Sequence, residues 1–475
     1  MTELLACINR LVWGIPALLM ILGVGVLLTT KTGFAQIRFL PKALKLFGEM
    51  IFGKDDKNSF RALCTALSAT VGTGNIVGVA GALCLGGPGS IFWMWICGLL
   101  GMVTKYAEAS LSVAYRCKTK DGKLLAGPMY IIPMSMGNRW KWLATVYSFF
   151  GCIAAFGVGN ATQINALVES AGTAVTAFGG HLPGSGRLLL AGTVTGIGIW
   201  CLCGGAKRVG SVAATLIPLA AGMYILLCLG VLIARWDEIP QAIYKILLGA
   251  FRPESVTGGL LGSAFTSLRI GASRGVFTNE AGMGTAAMAH GTADPGHPVE
   301  QGLMGIMEVF LDTIVLCSIT ALVILTSGVP IPYGMDAGAN LASLAFSSVY
   351  GSGVNILLSL FLSLFAFGTI LGWGFYGMQC AEFLFGTRGR SLFLVLMSTG
   401  SLAGILLKTG PVWLLSETVN GMMAIPNLIL LTFLCPKVKQ LTDEYKKLSA
   451  RRRSNTDYSH ISSESGTQRV SPPSV

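Results

Sequence analysis

The sequence predicts an all-α polytopic membrane protein, and three observations indicate this class. Of the 475 residues, 52% are hydrophobic and 12% are charged, whereas soluble domains carry about 25% charged residues. The chain contains 62 glycines, and glycine is more frequent in membrane helices than in soluble ones. The basic residues behind the net charge of +12 fall in loops and in the tail, as the positive-inside rule expects. We therefore expect contacts with membrane lipids and no nucleic-acid partner.

Eleven apolar segments are long enough to cross a bilayer. The first, residues 11–28, is longer than the apolar region of a signal peptide and is interpreted as an uncleaved span. Ten further spans are predicted at residues 64–84, 90–114, 143–171, 187–204, 209–233, 269–291, 302–327, 353–385, 391–408 and 412–435. Because Lys and Arg are concentrated on the side that holds residues 31–61, we expect the amino terminus outside and the carboxyl terminus in the cytoplasm.

The spans divide the chain into five regions. Residues 1–60 form an extra transmembrane helix and a basic, amphipathic segment on the cytoplasmic surface. Residues 61–234 and 269–436 form two five-helix repeats, joined by an extracytoplasmic or re-entrant connection at residues 235–268. Residues 437–475 form a polar, Ser-rich cytoplasmic tail that is predicted to be disordered.

The span at residues 64–84 is predicted to be a broken helix. Its centre reads Gly72-Thr73-Gly74-Asn75, in which glycine weakens the helix and Thr and Asn offer competing local hydrogen bonds. In a membrane, unpaired backbone groups are tolerated only where they are buried in protein or line a cavity. This pattern favours a binding site over a dinucleotide fingerprint, which would need a different spacing and a preceding strand.

A second broken helix is predicted five spans later, at residues 269–291, which hold the run FTNEAGMG at 277–284. Interrupted segments at corresponding positions of two halves are typical of inverted-repeat transporters. Half-helix amino termini then attract a carboxylate, and half-helix carbonyls bind a cation. The alternative, glycines that serve only close helix packing, becomes weaker because the motif occurs in both halves.

Five motifs resemble the alanine/glycine:cation symporter family, also called sodium:alanine symporters. They are GGPGSIFWMWICGLLG at 86–101, GTGNIVGVA at 72–80, RGVFTNEAGMGTA at 274–286, and GPMY at 127–130 together with GLMGIMEVFLDT at 302–313. The resemblance covers residues 10–435. It implies the leucine-transporter-type fold, in which one extra helix precedes a ten-helix core of two inverted five-helix repeats. It also implies uptake of alanine or glycine coupled to sodium or, in some members, to protons.

Eight residues are predicted to contact the substrate. The two breaks supply most of them, with Phe277 and Met283 as apolar walls that suit a side chain no larger than a methyl group. The buried polar Gln163 and the mid-span Trp373 match substrate-lining residues that the resemblance implies; the alternatives are an interhelical hydrogen bond for Gln163 and an interface anchor for Trp373. The full set is Thr73, Gly74, Asn75, Gln163, Phe277, Thr278, Met283 and Trp373.

A sodium ion is predicted to bind between the first break and the eighth core span. Carbonyls near Ala69 and Gly72 would face the cation, and the fold that the resemblance implies adds Phe365, Gly368 and Thr369.

A buried carboxylate in the seventh core span indicates a further ion or proton site. Asp312 or Thr313 could bind a second cation, or Asp312 could take a proton; the alternative is pairing with Arg269, Arg274 or Lys105. Glu308 lies one helical turn before Asp312. Lys105 and Glu108 are predicted to form a structural pair, and Glu280 to hold the two halves of the second broken helix together.

The predicted function is secondary active import of a small neutral amino acid across the bacterial inner membrane, with sodium as the coupling ion and no organic cofactor. Proton coupling stays open, as do the choice between alanine and glycine and the oligomeric state. A passive channel would require a polar stripe along several helices, whereas the polar residues cluster at two breaks. The sequence holds no catalytic constellation and no GxxxxGK[ST] loop, which argues against an enzyme or a nucleotide-driven pump.

Overall fold

A computed structural model describes residues 8–9, 12, 14–53, 57–119, 122–177, 179–252, 264–335, 338–406 and 409–464. The described chain is almost entirely helical. A short antiparallel ribbon pairs β1 (Cys117–Lys118) with β2 (Leu124–Leu125). The helices are α1 (Ile15–Thr32), α2 (Ala35–Arg38), α3 (Leu40–Phe52), α4 (Lys57–Thr70), α5 (Val77–Gly86), α6 (Gly89–Ala114), α7 (Pro128–Met136), α8 (Lys141–Phe156), α9 (Thr162–Ala177), α10 (Gly184–Cys203), α11 (Gly205–Ala234), α12 (Ile239–Phe251), α13 (Ala264–Asn279), α14 (Thr285–His290), α15 (Pro298–Val309), α16 (Ser318–Thr326), α17 (Gly338–Tyr350), α18 (Val354–Phe385), α19 (Thr387–Leu406) and α20 (Thr409–Glu464).

The described helices account for the eleven predicted spans. Eight uninterrupted segments are long and apolar enough to cross a membrane, and the shorter helix α1 adds a ninth. The remaining two spans are the predicted broken helices, α4 with α5 and α13 with α14. The all-α class and the span count are therefore confirmed.

Two of the long spans contain a π-helical segment. Residues Gly157–Ala161 join α8 to α9, and Phe310–Cys317 join α15 to α16. Such wide turns are frequent at functional sites because they re-aim the side chains around them. Gln163 follows the first segment, and Asp312 and Thr313 lie within the second.

The long helices pack in two groups. One group is α6 with α13 and α15; the other is α18 with α8, α9 and α19. Within the first group, Gly302 and Gly305 lie directly on the backbone of α6, where a Cβ at Gly305 would come within 2.6 Å of the Lys105 carbonyl. Small residues allow this approach, which drives helix association in membranes.

The connecting segments cover the first broken helix and α6. Helix α17 lies in the stretch after the seventh core span and packs on α5. Just before it, the Gly334 N–H donates to the Cys84 carbonyl (2.9 Å). Helix α12 lies in the predicted connection 235–268 and packs on α6, where the Trp93 indole donates to the Ala250 carbonyl (3.2 Å). Residues 253–263 of that connection lie outside the described residues.

Helix α20 corrects the predicted disordered tail. The helix continues through residues 437–464, and its first turns beyond residue 436 are packed. Val438, Leu441, Thr442 and Tyr445 are buried. These positions follow the spacing i, i+3, i+4, i+7 of one helix face. The overall composition of the segment does not show this face, because most of the surrounding residues are charged or polar. Residues 465–475 lie outside the described part.

The Tyr445 ring fastens this extension to the rest of the fold. The ring packs edge-on against Phe39 (centroids 6.1 Å apart) and beside the His297 ring (5.2 Å). The Lys42 ammonium lies 4.2 Å from its centroid, within cation–π range. One turn earlier, the Thr442 hydroxyl hydrogen-bonds the Tyr106 hydroxyl (2.8 Å). The extension therefore holds α2, α3 and the linker before α15 together.

We expect Tyr445→Ala to lower the free energy of unfolding by about 3 kcal/mol, the usual cost of deleting a buried aromatic ring. Thermal unfolding of the purified protein in detergent measures this effect. Tyr445→Phe is the matched control, since it keeps the ring contacts and should unfold near the wild-type temperature. An unchanged midpoint for Tyr445→Ala would show that the extension is not fastened by this ring.

Candidate functional site

The first break lies between Thr70 and Val77, with a single 3₁₀ turn at Thr73–Asn75. The Asn75 amide caps the break: its oxygen accepts from the Gly72 N–H (2.9 Å). Its nitrogen donates to the Asp312 carboxylate (2.7 Å) and carbonyl (3.1 Å). Asn75 is buried, whereas Thr73 and Gly74 are partly exposed. One side chain therefore accepts from one freed N–H of the break and ties the break to the π-helical segment.

The second break lies between Asn279 and Thr285, and glycines shape it. Gly282 (φ +92°) and Gly284 (φ +75°) occupy left-handed conformations that strain other residues. Their freed N–H groups both donate to one oxygen of Glu108, at 3.0 and 3.1 Å. The Asn427 amide donates to the same oxygen (2.7 Å). A charged acceptor on α6 thus replaces the hydrogen bonds that a continuous helix would supply.

This arrangement corrects one prediction. Lys105 does not pair with Glu108; its ammonium binds the Glu308 carboxylate at 2.8 Å. The other Glu308 oxygen lies 3.0 Å from the His290 ring, whose second nitrogen contacts the Gln301 amide (2.6 Å). Both side chains of the Lys105–Glu308 pair have 0% exposure. The spacing of three residues put Lys105 and Glu108 on one helix face, but neighbouring helices supplied better partners for each.

The first break contacts the last turn of α13, directly before the second break. A Cβ built on Gly74 would lie 3.1 Å from the Thr278 methyl group, so the absence of a side chain permits the approach. The Thr278 hydroxyl donates to the Gly275 carbonyl (2.9 Å). Next along the chain, the Asn279 amide donates to the Thr313 hydroxyl (3.2 Å), which in turn donates to Asp312 (2.9 Å). The predicted residues of both breaks and of the seventh core span therefore form one connected cluster.

The predicted sodium residues also come together, between α4 and α18. A Cβ on Gly72 would lie 3.0 Å from the Thr369 hydroxyl, and that hydroxyl donates to the Phe365 carbonyl (3.1 Å). Gly368 lies beside the Ser68 carbonyl: a Cβ built on Gly368 would be 3.5 Å from that oxygen. One turn further on, a Cβ on Gly372 would lie 2.8 Å from the Ala69 nitrogen. Glycines of α18 thus bring the two helix backbones into contact.

Gln163 and Trp373 both lie at the first π-helical segment. The Gln163 nitrogen donates to the Val158 carbonyl (3.1 Å), whereas its oxygen is buried and has no hydrogen-bond partner among the described residues. A Cβ on Gly159 would overlap the root of the Trp373 side chain. The indole is 1% exposed and donates to Glu280 (2.9 Å). Trp373 is therefore a buried core residue and not an interface anchor.

The apolar walls are less tightly placed. Phe277 is half-buried at the end of α13. Met283 is fully buried and lies on the far side of Glu280, whose carbonyl accepts from the Met283 N–H (3.2 Å). Their position beside a substrate stays a prediction.

Three polar residues that the sequence reasoning did not single out complete the site's surroundings. They are His290, Gln301 and Asn427, each nearly or fully buried. Their signal was present in the sequence, since a polar residue within an apolar run usually faces the bundle interior. Only the three-dimensional structure shows which carboxylate each one serves.

Two interrupted helices that meet inside a helical bundle define a secondary transporter of the inverted-repeat class. A crystal structure of MhsT in complex with L-phenylalanine has this fold. It is similar with a TM-score of 0.55 and 14% identity, over 80% of this chain and 97% of that chain. At this identity the likeness shows the fold alone, which is of the leucine-transporter type.

The sequence itself shows the family. The model of the sodium:alanine symporter family matches residues 1–459, and the chain belongs to this family. The sodium/alanine symporter AgcS of Methanococcus maripaludis is 38% identical over 457 residues, covering 94% of this chain and 97% of that protein. An uncharacterized transporter of Haemophilus influenzae is 39% identical over 449 residues, covering 93% and 96%. The chain is a multi-pass membrane protein, a sodium-coupled amino-acid symporter and not an enzyme.

We expect Glu108→Leu to open the second break. Leucine offers no acceptor to the Gly282 and Gly284 N–H groups, and each buried donor left unpaired costs about 1–3 kcal/mol. Glu108→Gln keeps an oxygen in place and should be affected less. Hydrogen-exchange mass spectrometry of residues 280–285 checks this, with faster exchange expected in Glu108→Leu than in Glu108→Gln. Equal protection in both variants would contradict the role of Glu108.

Proposed function

We propose that the protein imports a small neutral amino acid, alanine or glycine, by symport with sodium and by alternating access around the two breaks. The observation that carries this proposal is the contact between Gly74 of the first break and Thr278, which lies in the last turn of α13 before the second break. It brings the ends of two half-helices to one place inside the bundle. The backbone groups of such helix ends bind a zwitterion and a cation without needing a charged side chain for each.

The substrate would lie against the first break. Backbone N–H groups near Gly74 to Ile76 would bind its carboxylate, because half-helix amino termini carry partial positive charge. The Asn75 and Ile76 N–H groups, which donate to the Gly72 and Thr73 carbonyls at 3.3 Å, would exchange these long hydrogen bonds for the carboxylate. The unpartnered oxygen of Gln163 is a free acceptor for its ammonium group. Thr73, Asn75 and Thr278 would line the site, with Phe277, Met283 and Trp373 as walls. The close approach of Thr278 to Gly74 favours a substrate with a small side chain.

The first sodium ion would lie between α4 and α18. The hydroxyl of Thr369 lies beside Gly72, and the carbonyl of Phe365 is 3.1 Å from that hydroxyl. Carbonyls from Ala69 to Gly72 would complete the set, with Gly368 allowing the helices to approach. Carbonyl oxygens of unwound or half-helix segments are the sodium ligands of this class of transporter.

A second cation or a proton would bind at Asp312. Its carboxylate is 0% exposed and is hydrogen-bonded to Asn75 and Thr313. Among the described residues it forms no salt bridge, because Lys105 is committed to Glu308. A buried carboxylate without an ionic partner favours a cation or a proton beside it. Sodium is the leading choice from the family, and a proton is the alternative.

The orientation follows the distribution of basic residues. With residues 31–61 in the cytoplasm, the amino terminus lies outside and α5 lies in the outer half of the bilayer. The partly exposed Thr73 and Gly74 would then receive substrate from the outside. A bacterial inner membrane, with its lipids around the bundle, is the proposed location.

A passive channel is the second candidate class. It requires polar residues along the full length of several helices, whereas the predicted polar site residues lie mainly at the two breaks and in the π-helical segment beside them. Flux through a channel would not saturate at low substrate concentration and would not follow a sodium gradient.

The test is uptake of labelled alanine into proteoliposomes. An inward sodium gradient should drive accumulation above the external concentration, and glycine should compete. Liposomes without protein and proteoliposomes with equal sodium on both sides are the controls. Accumulation without any sodium or proton gradient, or none with either gradient, would rule out symport.

Asp312→Asn should raise the sodium concentration for half-maximal uptake about tenfold, equivalent to about 1.4 kcal/mol, since the neutral amide binds a cation less well. Sodium titration of uptake in proteoliposomes measures this shift. Thr313→Ser keeps the hydroxyl and is the control, with little change expected. An unchanged sodium dependence in Asp312→Asn, combined with loss of any pH dependence, would assign a proton to Asp312 instead.

A further inference from the structure

We propose that Glu280 sets the size limit for the substrate by holding the Trp373 indole in place. Glu280 is then a positioning residue, which acts through Trp373 and does not bind the substrate itself. The inference rests on the proposed function, in which Trp373 forms one wall of the substrate site. It adds a specificity role to a residue that the sequence placed only in the hinge of the second broken helix.

The backbone of Glu280 is the first observation. Its φ of +54° lies in the left-handed region, and Phe34 is the other described non-glycine residue with positive φ. This conformation costs a side-chain-bearing residue about 1–2 kcal/mol. The next two left-handed positions of the same break, 282 and 284, are glycines. A long side chain at position 280, where glycine would fit without strain, indicates that the side chain has a task.

The carboxylate of Glu280 spans from the break to α18. One oxygen accepts from the Trp373 indole N–H at 2.9 Å, and the other accepts from the Thr285 hydroxyl at 2.7 Å. Glu280 is 3% exposed and Trp373 is 1% exposed. The indole N–H can only donate. Water is excluded from both groups, so the indole would have no replacement acceptor if Glu280 were shortened.

The root of the Trp373 side chain is already fixed. Its Cβ lies against the backbone of Gly159, in the π-helical segment one turn before Gln163. With this end seated, the remaining freedom of the indole is rotation about its own bonds. The hydrogen bond that the indole N–H donates to Glu280 removes that freedom. The orientation of the ring against the π-helical segment therefore depends on a residue of the opposite helix group.

The nearby charges do not need Glu280 as an ionic partner. The Lys105 ammonium is bonded to Glu308, with His290 on the second Glu308 oxygen. Glu108 is occupied by the N–H groups of the second break. The hydrogen-bond partners of Glu280 itself are neutral. A glutamine at position 280 could accept from the indole and donate to the Thr285 hydroxyl, so it would keep both bonds.

The experiment compares two amides of different length. The glutamine of Glu280→Gln is long enough to keep the hydrogen bond with the Trp373 indole. The asparagine of Glu280→Asn is one methylene shorter and loses this bond. Because asparagine tolerates the left-handed backbone conformation, the break itself should be retained in Glu280→Asn. Trp373→Phe removes the same hydrogen bond from the other side. Sodium-driven uptake of alanine and of valine in proteoliposomes gives kcat/KM for each substrate. Wild-type accumulation of alanine must be present first, and its absence would count against the proposed function, not against this inference.

We expect the ratio of kcat/KM for alanine over valine to fall at least tenfold in Glu280→Asn and in Trp373→Phe, and to stay within about threefold of wild type in Glu280→Gln. The double variant Glu280→Asn with Trp373→Phe should fall no further than either single variant, since both remove one interaction. Three results would overturn the inference. The first is an equal fall of the alanine-over-valine ratio in Glu280→Gln and Glu280→Asn. The second is reduced uptake by Glu280→Asn with an unchanged ratio. The third is an unchanged ratio in Trp373→Phe, which can be measured even if Glu280→Asn fails to fold.

Discussion

An interrupted helix inside an apolar bundle must find new partners for its freed backbone groups, and this requirement governs the structure around the site. In water, solvent would satisfy them; in the bilayer core, only protein, substrate or ion can. At the second break, a single Glu108 oxygen accepts hydrogen bonds from three N–H donors in two segments of the chain. At the first break, the Asn75 side chain accepts a hydrogen bond from the Gly72 N–H. Glu108 lies on the neighbouring helix α6, and Asn75 also donates to Asp312 of a neighbouring span. The hydrogen bonds of the two breaks therefore also help to set how the helices pack.

The architecture was largely predictable because it depends on apolar length and on the position of glycines. The two broken helices, the order of the spans and the meeting of Gly74 with Thr278 all follow from such patterns. The pairing of buried charges was not predictable in the same way. Lys105 and Glu108 are three residues apart on one helix, yet each is satisfied by a different neighbour. Sequence spacing describes one helix, whereas partner choice depends on the helices that surround it.

The ordered extension of α20 shows a related limit. Composition describes residues 437–450 as a charged tail, but four residues at helical spacing are buried. A narrow apolar stripe among many charges is enough when aromatic rings lie opposite it. Phe39 and His297 come from segments far away in the sequence. Their position could be known only after the whole bundle was folded, so a local analysis of the tail could not detect the contact.

The glycine contact between α4 and α18 has a mechanical consequence. Gly368 and Gly372 face the backbone and the short side chains of Ser68 and Ala69, so no long side chain of α4 or α18 lies between the two helices here. Helices joined by interlocking side chains must change rotamers before they shift, whereas two smooth surfaces slide without that barrier. Cohesion across this contact then has to come from something other than steric interlock. The oxygens of Thr369 and Phe365, which lie at the edge of the smooth surface, are placed to provide it through whatever they bind.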